Sequence, residues 1–96
     1  MLYELWRRGE NKVAARKYLV VAEDTDMARD LLISHLGGKL ERTDLDVAYP
    51  YEKDVRQRQV DWGDDGGWWR AKYSCWDIYQ YYKDRGQAIV ITSYLC

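Results

Sequence analysis

The amino-acid sequence predicts an α+β fold: a mainly antiparallel sheet in the order β-β-α-(β)-β-β-α-β, with two helices on one face. Three observations carry this expectation. Apolar residues recur with clear helical spacing in two stretches, each preceded by an oxygen-bearing cap and closed by glycine. Short runs rich in Val, Ile, Tyr and Trp surround them and read as strands. Segments containing Gly, Asn and Asp separate those runs at hairpin spacing. Ninety-six residues fit one domain, spanning 1–96.

Leu2 to Arg8 mixes large apolar and charged residues, as a strand does. Gly9-Glu10-Asn11 is a turn signal, and Val13 to Ala22 is the second strand of a hairpin. Asp24 or Thr25 then caps a helix, because a short oxygen-bearing side chain accepts a free first-turn N–H. Ala28, Leu31, Leu32 and Leu36 form its apolar face, and Gly37-Gly38 ends it. Lys39 to Arg42 reads as a short strand. Pro50 favours an extended Tyr49 and forbids a helix running through it. Asp54 to Trp62 fits either a polar strand or a helix bearing Tyr51, Val55, Gln59 and Trp62 on one side. The glycine-rich Gly63–Gly67 behind it favours a strand and a hairpin.

Trp68 to Tyr73 alternates, with Trp69, Ala71 and Tyr73 on one face and Trp68, Arg70 and Lys72 on the other. Ser74 caps the second helix, with Asp77 three residues on. Cys75, Ile78, Tyr79 and Tyr82 form its apolar face, and Gly86 closes it. Ala88 to Leu95 is apolar on both faces and is expected at the centre of the sheet. The expected core comprises Val20, Leu31, Leu32, Leu36, Ile78, Tyr82, Ile89 and Ile91.

The net charge of −1 hides a pattern. Residues 1–22 carry +3, residues 23–66 carry −6, and residues 67–96 carry +2. This is not the uniformly basic footprint of a duplex-binding protein. No run is long enough to span a membrane. Met1-Leu2-Tyr3-Glu4 lacks a basic region followed by an apolar one, so no signal peptide is read and the cytosol is the expected compartment. Cys75 and Cys96 do not make a disulfide framework, and a bond between them is not expected.

Catalytic and metal signals are weak. The single histidine, His35, falls near a helix C-terminus, where the dipole alone accounts for it. A Cys75–His35 nucleophile–base pair would need the tertiary fold to bring the two together. No serine or cysteine lies in an elbow motif. Asp61, Asp64 and Asp65 crowd a glycine-rich loop but lack EF-hand spacing, and two carboxylates there would repel a phosphate. No cofactor, metal or enzymatic activity is expected.

The aromatic content is the strongest signal. Five Trp and nine Tyr, with no Phe, exceed what so small a core encloses. Trp62 and Trp68 flank the acidic turn of Asp64 and Asp65, and Trp68 shares its face with Arg70 and Lys72. Aromatic and arginine side chains dominate the energetics of protein interfaces, so these six residues are the candidate partner-binding site. The same mixture suits single-stranded nucleic acid through stacking and phosphate contacts, and core packing of the tryptophans is the plain structural alternative.

The segment from Lys17 to Arg29, KYLVVAEDTDMAR, is a strand feeding directly into an acid-capped helix. It resembles a segment of small phage-encoded accessory proteins, including some anti-CRISPR proteins. The resemblance covers 13 of the 96 residues and carries no site residues. It implies a stoichiometric inhibitor that binds and blocks a host defence complex. The resulting expectation is a non-enzymatic protein-binding module acting by occlusion, with single-stranded nucleic-acid binding as the alternative.

Overall fold

A computed structural model describes residues 1–9, 15–63 and 70–95, with the backbone alone at Arg70. The elements are β1 (Leu2–Arg7), β2 (Arg16–Val21), α1 (Thr25–His35), β3 (Leu45–Ala48), α2 (Glu52–Gln57), β4 (Gln59–Gly63), β5 (Arg70–Ser74), α3 (Cys75–Asp84) and β6 (Ile89–Leu95). The α+β class is as the sequence predicts, and every strand pair is antiparallel. The strands form two sheets: four strands in the order β3-β1-β2-β6, and the separate hairpin β4-β5.

The helices do not share one face of the large sheet. Alternation in β1 and β2 sends Tyr3, Leu5 and Val20 to one side, where they pack with Ala28 and Leu32 of α1 and with Leu45. Leu2, Leu19 and Val21 point to the other side, against Val55 of α2 and Cys75, Ile78 and Tyr79 of α3. The reason is in β2, whose Tyr18-Leu19-Val20-Val21 is apolar on both faces and needs cover on both. The same fact corrects the place of β6. Its apolar character on both faces suggested a central strand, but β6 is the last strand in the order, and β1 and β2 are central. Ile91 is the extra residue of a bulge there, because Leu19 pairs with Thr92 and Val20 with Val90.

Leu5, Leu19, Leu32 and Leu45 are fully buried, each contributing about 1.5–3 kcal/mol. Val20, Ile78 and Ile91 are buried as expected, whereas Leu31, Leu36, Tyr82 and Ile89 are half-buried at the margins. On the α3 side the sheet also buries polar groups. Lys17 Nζ lies 3.7 Å from Glu4 Oε1, and the Tyr94 hydroxyl donates to Glu4 Oε2 at 2.7 Å.

Asp24 caps α1, accepting from the Met27 N–H at 2.7 Å. Gly37 and Gly38 end it with φ of +100° and +80°, a region other residues enter at a cost. The Gly38 N–H reaches back to the Ile33 carbonyl at 2.8 Å.

Residues 39–60 depart from the expectation. Lys39 to Glu41 is irregular chain leading into a 3-10 turn at Arg42–Asp44. The Asp44 carboxylate takes the Glu41 N–H at 2.8 Å, and Arg42 donates twice to Asp30, at 2.8 and 2.6 Å. Side chains thus take the role a sheet ladder would have played. The strand follows at Leu45, which is fully buried. Beyond Pro50 the chain forms α2 and only then β4, so the stretch from Asp54 to Trp62 is half helix and half strand. Burial of Val55 and the bond from the Cys75 N–H to the Arg58 carbonyl at 2.8 Å hold the short helix in place. Glu10, Asn11 and Val13 of the expected first hairpin lie outside the described residues, as do Asp64 to Trp69 and Cys96.

Candidate functional site

The β4–β5 hairpin stands against α3. Its register sets Val60 opposite Tyr73, Asp61 opposite Lys72, and Trp62 opposite Ala71. Directly opposed residues project to the same side. Val60, Trp62, Ala71 and Tyr73 therefore share one face, and Asp61 and Lys72 the other. Val60 and Trp62 pack on the α3-side core.

Ser74 ends β5 and caps α3, its hydroxyl accepting from the Asp77 N–H at 3.2 Å. The first residue of α3, Cys75, is fully buried. That anchor fixes the rotation of the helix. Asp77 and Tyr81 then fall one turn apart on one row, and Ile78 and Tyr82 on the next.

Between hairpin and helix is a cavity of about 380 Å³, lined by Trp62, Gly63, Tyr73, Asp77, Ile78, Tyr81 and Tyr82. Its rings make edge contacts: Trp62 meets Tyr82 at 6.0 Å between centroids, and Tyr81 meets Tyr82 at 5.1 Å. Tyr73 is 40 % exposed and Tyr81 50 % exposed. Asp77 supplies the only charge among these lining residues, and its carboxylate forms no ion pair among the described residues.

On the α3 side of the sheet several rings are paired with cations, one of them, Tyr81, at the cavity. Arg56 stands 4.5 Å from the Trp76 ring, Arg58 3.6 Å from Tyr94, Lys83 5.7 Å from Tyr79, and Arg85 3.6 Å from Tyr81. Such contacts contribute from about 0.5 to 2 kcal/mol, depending on desolvation. Trp62, Tyr73 and Tyr82 have no such cation among the described residues.

The residues expected from the sequence as one site are distributed differently. Trp62 faces the cavity, whereas Lys72 is exposed on the opposite face of the hairpin, across from Asp61. The backbone of Arg70 pairs with Gly63. Asp64, Asp65 and Trp68 lie outside the described residues. Tyr73, Asp77, Tyr81 and Tyr82 were not in the expected site. Asp77 and Tyr81 show an i, i+4 spacing in the sequence, but their meeting with Trp62 and Tyr73 depends on how the hairpin docks.

His35 and Cys75 are not brought together. His35 is exposed at the end of α1, and Cys75 is fully buried under α3 on the opposite face of the sheet. Burial pushes the Cys75 thiol above its ordinary pKa. No group of three or more His, Cys, Asp or Glu among the described residues is arranged to hold a metal ion. No described helix is long and apolar enough to cross a membrane. Comparison with family models, with curated proteins and with solved structures finds no match.

Proposed function

We propose that this chain is a non-enzymatic protein-binding module that acts by occlusion, with the cavity between the β4–β5 hairpin and α3 at the centre of its contact surface. One observation carries the reading: Trp62, Tyr73, Tyr81 and Tyr82 converge on an open cavity. Tyr and Trp present wide apolar area with a polar tip, and they anchor protein interfaces in pockets ringed by polar groups. Lys72 and Asp61 lie on the opposite face of the hairpin, away from the cavity. Trp68, Arg70, Asp64 and Asp65 belong to the proposed site on the sequence alone. The likeness of the Lys17–Arg29 segment to small phage accessory proteins makes a host defence complex the partner class to try first.

The alternative, single-stranded nucleic acid, has less support. Arg56, Arg58, Lys83 and Arg85 are already engaged with rings of the protein itself, and the cavity contributes a carboxylate rather than a cation.

The test is capture of partners from a lysate of the source organism or its host, using wild type and Tyr81→Ala. Tyr81 is half-exposed, so the variant should fold. The reading expects a stoichiometric protein partner whose recovery falls several-fold in the variant and persists at about 0.5 M salt, where phosphate-dominated binding collapses. Recovery of nucleic acid alone, or equal capture by both proteins, would overturn it.

A further inference from the structure

We infer that the cavity between the β4–β5 hairpin and α3 receives an arginine side chain of the partner protein. The inference rests on the protein-binding reading above and specifies what enters the site.

The argument begins with the lining. Aromatic faces carry negative potential, and a carboxylate adds a full negative charge. Trp62, Tyr73, Tyr81, Tyr82 and Asp77 supply both around one space. An apolar anchor would leave the exposed Asp77 carboxylate with only the α3 dipole to meet it. A cation satisfies rings and carboxylate together.

The remainder of the α3 side shows the same chemistry already satisfied. Trp76, Tyr79, Tyr81 and Tyr94 each hold a cation of this chain. Three of those four cations are arginines, and the two shortest contacts, both 3.6 Å, are from guanidinium groups. A planar, weakly hydrated guanidinium lies flat on a ring more readily than an ammonium does. Among the described residues, Trp62, Tyr73 and Tyr82 line the cavity without a cation, and a partner's arginine would continue the pattern there.

Size and field agree with this. A volume of about 380 Å³ is at the small end of ligand sites and is more than enough to admit one long side chain. The positive end of the α3 dipole opposes a cation near its first turn. Asp77 stands in that turn and offsets the dipole, and Tyr81 and Tyr82 lie a full turn beyond it.

The experiment is a titration of the intact chain followed by NMR. The probes are N-acetyl-arginine methylamide, its uncharged isostere N-acetyl-citrulline methylamide, and the apolar N-acetyl-norleucine methylamide. The expected result is saturable shifts at the Trp62 indole N–H and at the Tyr73 and Tyr81 amides. Arginine should bind at least about fivefold more tightly than either neutral probe. Asp77→Asn keeps the backbone N–H that Ser74 caps and should remove most of that preference without unfolding the helix. Norleucine binding as tightly as arginine, a preference unchanged in Asp77→Asn, or no shift at these residues with any probe would each overturn the inference. Partner capture with wild type and Tyr81→Ala is read separately, so the protein-binding reading can stand where the arginine inference fails.

Discussion

The two faces of the four-stranded sheet are completed by different chemistry. Under α1 the core is mainly aliphatic, with Leu5, Val20, Leu32 and Leu45 around Tyr3. The cations at that helix pair with carboxylates: Arg29 with Asp26, and Arg42 with Asp26 and Asp30. Under α2 and α3 the core is edged by Trp62, Trp76, Tyr82 and Tyr94, and Arg56, Arg58, Lys83 and Arg85 pair with rings. Arg56 does both, lying over Trp76 while donating to Glu52 at 2.8 Å. Ion pairs leave a hydrated exterior. Rings under guanidinium groups keep apolar area near the surface, and where no cation covers them they remain available to a partner. This difference is the ground on which the proposed contact surface is put on the α3 side.

The contrast is easiest to break at the core. Leu32 is fully buried beneath α1, and Leu32→Ala should cost about 3–5 kcal/mol through lost transfer energy and a residual cavity. Tyr81→Ala, on the half-exposed rim of the α3 side, should cost under about 1 kcal/mol. Denaturant midpoints for the two variants measure this directly. If Tyr81→Ala proved the more damaging, that ring would be structural core and not part of an exposed rim.

A smaller effect is expected where the α3 face admits charge into the sheet. The side chains of Lys17 and Glu4 are 10 % and 14 % exposed, and Tyr94 donates to the same carboxylate. Glu4→Ala removes the ion-pair partner of Lys17 and the acceptor of Tyr94 together, for a loss of about 2–3 kcal/mol. Glu4→Gln keeps the volume and an acceptor and should lose less. Equal midpoints for Glu4→Ala and wild type would show that this network adds nothing to the face it occupies.

Local signals were legible in the sequence, and docking was not. Asp24, the Ala28-Leu31-Leu32-Leu36 spacing and Gly37-Gly38 define α1 because cap, face and stop all lie within one segment. Ser74 and the Cys75-Ile78-Tyr79-Tyr82 spacing define α3 in the same way. The hydropathy of β6 says that both its faces are covered, but not whether it has one neighbour or two; with helices on both sides of the sheet, an edge strand reads like a central one. The six residues of α2 are too few to show a period, and their fold rests on Val55 burial and on the backbone bond between Cys75 and Arg58. For the site, the sequence singled out Trp62 but grouped it with Lys72. Only the pairing of Trp62 with Ala71 turns the indole toward α3, and that register belongs to the hairpin and to no single residue.

The smallest expected effect tests the other half of the contrast, the ionic α1 face. Arg42 donates twice to Asp30, and those hydrogen bonds hold the Asp30 carboxyl below its ordinary pKa. A carboxylate whose pKa is lowered by folding stabilises the native state above its unfolded pKa, and that contribution is lost as the pH falls through the folded value. Arg42→Ala should therefore lower the melting temperature slightly at pH 7, and the gap to wild type should close as the pH is taken into and below the carboxylate range. Both side chains are about half exposed, so salt should narrow the gap at pH 7 as well. Arg85→Ala, which removes a guanidinium from a tyrosine ring and not from a carboxylate, should show a deficit that acid leaves unchanged. Melting curves for the three proteins at pH 7 and pH 3, each at low and high salt, separate the two chemistries. An acid-dependent gap for Arg85→Ala, or an acid-independent one for Arg42→Ala, would mean that the faces do not differ in the way their contacts indicate.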